Sequence, residues 1–110
     1  MPDKGDIVVI LSKDIDEVLN WVYNPNTDLS IATLEKIRLI LRDESQNEVA
    51  RCNAAEVIQA VDLGGQSDDF ARFLQALYAT LIDVCASPSV ALRSAARSAL
   101  PNVLEALKNQ

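Results

Sequence analysis

Leu81-Ile82-Asp83-Val84-Cys85-Ala86-Ser87-Pro88-Ser89-Val90-Ala91-Leu92-Arg93-Ser94-Ala95-Ala96-Arg97-Ser98-Ala99-Leu100 holds the end of one helix, a turn and the start of the next. Upstream, Phe70, Phe73, Leu74, Leu77, Leu81 and Ile82 recur at steps of one, three or four, the signature of one apolar face at 3.6 residues per turn. Ser87-Pro88 then has the cap-plus-proline grammar of a helix start. Val90, Leu92, Ala95, Ala96, Ala99, Leu100, Val103, Leu104 and Leu107 carry the stripe that follows. Pro101 falls inside that stripe, so the spacing predicts a kink or a restart near Leu100 within one element, two abutting helices being the other reading.

The same grammar extends outward in both directions. Ser67 is placed to cap the helix before the turn, with Asp68 and Asp69 complementing the positive end of its dipole. Ser45-Gln46-Asn47-Glu48 reads as a capping box ahead of the stripe Ala50, Ala54, Val57, Ile58 and Val61, and Gly64-Gly65 reads as the left-handed closure of that helix. Before it, Ile31, Leu34, Ile37, Ile40 and Leu41 define a helix from Ser30 to Arg42, with Glu35, Lys36, Arg38 and Arg42 on the opposite face. From Asp6 onward, Ile7, Val8, Leu11, Ile15, Val18, Leu19 and Val22 fit one continuous helix, ended by Asn24-Pro25-Asn26. A short strand over residues 7–10, with Ser12 capping a helix from Lys13, is the competing reading. The expectation is an all-α chain of about five antiparallel helices in a single domain over residues 1–110: an N-terminal helix over 6–23, a helix pair over 30–62 and a second pair over 68–107.

The two pairs resemble each other. Val49-Ala50-Arg51-Cys52-Asn53-Ala54-Ala55 can be laid on Val90-Ala91-Leu92-Arg93-Ser94-Ala95-Ala96 at an offset of 41, and Ile31, Leu34, Ile37 and Leu41 on Ala71, Leu74, Leu77 and Leu81 at an offset of 40. This pattern resembles the HEAT-repeat family of armadillo/HEAT type, whose second helix typically opens on Val-Arg-x-x-Ala-Ala after a short turn. The chain departs from that pattern twice: Arg93 lies three residues after Val90, and Arg51 stands where the second copy has Leu92. The resemblance spans residues 31–107 and implies an antiparallel stack of helix pairs with the first helix as a cap, or a compact bundle with HEAT-like connectivity. Independently of any family, alanines at 54, 55, 95, 96 and 99 allow close helix approach.

Composition narrows the chemistry. The 110 residues include no histidine, which removes Ser-His-Asp and Cys-His nucleophile systems, imidazole bases and Cys-His zinc sites. Sixteen acidic against ten basic side chains leave a net charge of -6, unfavourable for phosphate backbones and anionic membranes. That charge is uneven: residues 1–30 carry six acids and two bases, whereas residues 63–110 carry four of each. Cys52 and Cys85 lack CxxC spacing and sit in helical stretches, the pattern of buried reduced thiols in a cytoplasmic protein. Ile7 to Leu11 is too short to cross a bilayer.

Few residues remain as candidates for function. Asp14, Asp16 and Glu17 lack the ligand count of a calcium site and read as a solvated acidic face; Ser94 and Ser98 beside Arg93 and Arg97 read as a solvent-facing polar stripe. Trp21 and Tyr23, at the end of the first helix, have the amphipathic character enriched at interfaces. Arg38, Arg42, Arg51, Arg93 and Arg97 complete the expected partner-binding set, with no catalytic, cofactor or metal site. The expectation is a non-enzymatic protein–protein interaction module, a small adaptor, inhibitor or regulatory subunit, whose partner is another protein and neither nucleic acid nor membrane. The competing expectation is a small-ligand sensor or enzyme with a site inside the bundle, which a polar cavity of several hundred cubic ångströms would favour.

Overall fold

The computed structural model describes residues 4–110, and among them all regular structure is helical: α1 (Lys4–Leu11), α2 (Ile15–Tyr23), α3 (Ile31–Arg42), α4 (Glu48–Ala60), α5 (Asp68–Val84) and α6 (Val90–Lys108). Six helices stand where five were expected, because the continuous helix over 6–23 is broken at Ser12-Lys13-Asp14. Asp14 is extended (φ -56°, ψ 146°), and the amide Nδ2 of Asn53 donates to the carbonyls of both Leu11 (2.7 Å) and Lys13 (2.8 Å), satisfying acceptors that a continued helix would have used. Residues 7–10 are helical and form no strand, and Ser12 caps no helix; its hydroxyl donates back to the Val8 carbonyl at 2.7 Å.

Three further local expectations are corrected. Helix α4 takes Asn47 as its N-cap, with Asn47 Oδ1 accepting from the Ala50 amide at 2.7 Å. Ser45 is drawn away from the expected capping box by Asp43, whose Oδ1 accepts from both its amide and its hydroxyl. Neither Gly64 nor Gly65 has positive φ, and α4 ends in extended backbone at Val61. Gly65 is required for space instead: a Cβ there would lie 2.7 Å from the Phe70 ring. The last helix is capped by Ser89, two residues beyond Ser87, and runs through Pro101 as one element. Ser67 caps α5 as its position suggests, and Ser30 caps α3.

The helices form three layers in chain order, α1/α2, α3/α4 and α5/α6. Helix α4 packs on α1 and α2 on one side and most extensively on α6 on the other, α3 lies along α5 and also meets α1, and among the described residues no helix–helix contact joins α1/α2 to α5/α6. One apolar cluster threads the layers: Ile7, Leu11, Val18, Ile37, Ile40, Leu41, Val57, Ile58, Leu74, Leu77, Leu81 and Leu92 are all but sealed from solvent. Alanines 50, 54, 55, 96 and 99, also fully buried, line the α4–α6 region, where small side chains permit close axes. Of the residues expected in apolar stripes, Ile82, Val90 and Leu104 are exposed instead.

Polar side chains stitch the layers without leaving interior groups unmet. Asn102 Nδ2 of α6 donates to the carbonyls of Ile58 (2.8 Å) and Val61 (2.9 Å), closing the end of α4 as Asn53 closes α1. Arg38 of α3 donates from Nη1 to Thr80 Oγ1 of α5 at 2.9 Å while gripping Glu35 on its own helix. The connections fall on two edges. The α1–α2, α3–α4 and α5–α6 turns share one, linked by Asn47 Nδ2 donating to Ser12 Oγ (3.1 Å) and by Ser89 Oγ donating to Glu48 Oε1.

Candidate functional site

On that shared edge the α3–α4 turn (residues 43–47) and the α5–α6 turn (residues 85–89) stand apart and enclose a cleft of about 610 Å³. Arg42, Glu44, Gln46, Glu48 and Arg51 form one wall; Asp83, Ser87, Pro88, Ser89 and Leu92 form the other. Two helix N-termini border it, those of α4 and α6, each capped by its own side chain.

The charges of the cleft divide into two groups. Arg51 Nε donates to the Leu41 carbonyl (2.9 Å) and so closes the end of α3, and Arg93 Nη1 donates to the Ser87 carbonyl (2.7 Å) in the turn before its own helix. Glu48 is engaged by Ser89. Arg42, Glu44 and Asp83, all exposed, have no hydrogen-bond or ion-pair partner among the described residues. The first group fixes the walls, and the second stands exposed at the rim.

Cys52, half-buried beside this region, has its pKa raised, first by burial and then by the negative charge of Glu48, with Arg51 opposing. A raised pKa keeps the thiol protonated and unreactive near neutral pH. Cys85 is likewise free and half-buried. No cluster of three or more His, Cys, Asp or Glu suited to a metal ion occurs among the described residues. No helix among them is long and apolar enough to cross a membrane.

The residues singled out from sequence do not form one surface. Arg42 and Arg51 come together at the cleft, and Arg93 supports its far wall. Arg38 is spent between α3 and α5, its side chain only 13% exposed. Arg97 lies exposed on α6. Trp21 is half-buried against the core, and Tyr23 is 66% exposed beside an apolar hollow formed with Val22, Leu29, Leu34, Ala60 and Val61, away from the turns that form the cleft. Glu44, Glu48, Asp83 and Ser89 escaped notice because acids and serines near turns are common. A signal for one pair was present: Glu48 and Ser89 are 41 residues apart, the offset of the internal repeat, and positions at that offset in stacked layers become neighbours. Compared with protein-family models, with curated proteins and with solved structures, the chain finds no match.

Proposed function

We propose that this chain is a non-enzymatic protein-binding module of HEAT-like helix pairs, of the adaptor, inhibitor or regulatory-subunit class, which grips a segment of another protein in the cleft between the α3–α4 and α5–α6 turns. The observation that carries the reading is the set of rim charges, Arg42, Glu44 and Asp83, held around a cleft of about 610 Å³ with no partner among the described residues. Charges of both signs at a solvent-facing rim select a partner by complementarity more than by bulk affinity. The HEAT-like reading is supported by the layer order and by Arg51 and Arg93, which return to the preceding helix end or turn in successive layers. Against an internal active site stands the interior itself, where the buried polar residues Thr33, Asn53 and Thr80 hydrogen-bond within the chain.

A second reading has one observation in its favour: the cleft volume falls in the range of small-molecule sites, about 300–1,000 Å³. Glu48, Arg51, Ser87 and Ser89 on its walls bond one another or backbone, and the unspent charges Arg42, Glu44 and Asp83 are exposed, which favours the protein partner.

A photo-crosslinking residue at Glu44, with Asn20 on α2 as the control position, tests the proposal in the native cell. A protein crosslinked from position 44 and not from 20, and lost with Arg42→Glu, is the expected result. Crosslinks indifferent to position and to the charge reversal overturn it. A small molecule that stays with the wild-type protein in native mass spectrometry and leaves with Arg42→Glu replaces it with the second reading.

A further inference from the structure

One bond sets the geometry of the cleft's rim. Arg38 Nη1 donates to Thr80 Oγ1, so these two residues mark the facing sides of α3 and α5. Both helices end on the edge that holds the cleft, so they run parallel. Arg42 lies four residues after Arg38 and Asp83 three after Thr80, which at 100° per residue turns the first about 40° one way from the facing line and the second about 60° the other way. On opposed faces of parallel helices, rotations of opposite sign lean to the same flank. Leu41 and Val84, with the two rotations exchanged, lean to the other flank and are buried, whereas Arg42 and Asp83 are exposed. The two charges therefore stand on the solvent side of the α3–α5 seam, one on each lip of the cleft.

Arg42 and Asp83 are 41 residues apart, the offset at which Glu48 meets Ser89, yet no hydrogen bond or ion pair joins them. The Ser89–Glu48 bond ties the two walls beside α4 and α6, and the Arg38–Thr80 bond ties them one turn inward, so the mouth opens on the flank where Arg42 and Asp83 stand. The other charges around the cleft cancel. Asp43 accepts from Ser45, Glu48 from Ser89, Arg51 donates to the Leu41 carbonyl and Arg93 to the Ser87 carbonyl, two acids against two bases. Arg38 is paired with Glu35, and Lys13 with Asp14 leaves the neighbouring α1–α2 turn neutral. Arg42, Glu44 and Asp83 remain, carboxylates on both walls against one guanidinium, a surplus of one negative charge.

We infer that the partner segment seated in the cleft carries charges of both signs: a Lys or Arg side chain lies between Asp83 and Glu44, and an Asp or Glu close to it in the segment meets Arg42. This rests on the reading of the chain as a protein-binding module and adds the chemistry and the direction of what it binds, base toward α5 and acid toward α3. A segment with bases alone is repelled by Arg42, and one with acids alone by two carboxylates. Pairing of Arg42 with Asp83 inside the chain is a weak competitor, because an exposed ion pair contributes little.

A photo-crosslinking residue at Ala86, exposed on the cleft's second wall, leaves all three rim charges in place and tests the inference. The partner peptide joined to it, sequenced by mass spectrometry, is expected to hold a base and an acid close together. Asp83→Lys and Arg42→Glu, both at exposed positions, each lower the yield roughly fivefold or more while the circular-dichroism melt is unchanged. Changing the partner's base to Glu restores crosslinking to Asp83→Lys and weakens it to the unaltered chain; changing its acid to Lys does the same for Arg42→Glu. A joined peptide that lacks either charge, a yield indifferent to Asp83→Lys or raised by it, or a swap that restores nothing overturns the inference. So does a joined peptide from this chain itself, which gives the cleft to a second copy. Failure here with position-specific crosslinking from Glu44 intact refutes the charge pattern and leaves the module reading standing; crosslinks indifferent to position refute the module reading, and the inference falls with it.

Discussion

Asn53 of α4 donates its side-chain amide to the carbonyl of Leu11, 2.7 Å away and 42 residues earlier in the chain, and so ends a helix from outside it. The same Nδ2 reaches Lys13, and Asn53 is only 8% exposed, so water cannot replace it easily. Asn53→Ala strands those two acceptors and is expected to cost about 1–3 kcal/mol. The thermal midpoint then falls by about 4 °C or more. Hydrogen exchange should rise first at residues 7–18, and an unchanged melt would remove the asparagine from this role.

Arg38 joins two layers. Arg38→Met keeps the stem packed but loses the bond to Thr80 and the grip on Glu35, at an expected cost of about 1 kcal/mol in urea denaturation. Arg38→Glu costs more, since it places a second carboxylate beside Glu35. Any partner lost from Arg38→Glu therefore reports on the fold, and a variant with full stability and lost binding would contradict that assignment.

Gly64 and Gly65 are adjacent and should respond differently. Gly65→Ala drives a Cβ to 2.7 Å from the Phe70 ring, which is itself packed in the core, and overpacking of this kind costs about 1–3 kcal/mol. Gly64→Ala meets only the movable Asp62 carboxylate at 3.0 Å, in backbone without positive φ, and is expected to be near neutral. Chemical denaturation of the two variants checks the contrast, and equal midpoints refute it.

Cys52 supplies a pH-dependent prediction. Its folded pKa lies above the ordinary thiol value of 9.0, so its contribution to stability is full below that pH and is lost as the pH rises through the folded value. Iodoacetamide should modify it more slowly than an unfolded control at pH 8. Burial is the larger cause and Glu48 the second, so Glu48→Gln lowers the pKa and speeds the reaction without bringing it to the control rate. A rate unaffected by that change would remove Glu48 as a cause and leave burial and Glu56.

Periodicity exposes what is local, and most of this fold is local. The stripes of α3 to α6 and the cap at Ser67 were legible because each depends on residues within one or two turns. The break before α2 was not, since the group that stabilises it sits on α4, and an unbroken apolar spacing from Ile7 to Val22 hides it. Gly65 was visible as a glycine but not as a matter of space, because Phe70 approaches it only after α5 has docked. At the cleft, arginines stood out and their roles did not: Arg51 and Arg93 are anchors, and the distinction between an anchoring and an unspent cation depends on carbonyls several residues away.

Layer contacts give the middle pair, α3 and α4, a mediating position. Each of the two touches both outer layers, whose helices share no contact among the described residues, so strain set up by an occupant at one end reaches the other through the middle pair. Mechanical pulling on the N-terminus would then peel α1/α2 away as a separate event, with the Asn53 bonds opening before α2 leaves α4. The middle pair would be left with one bare side, a new apolar surface released by force.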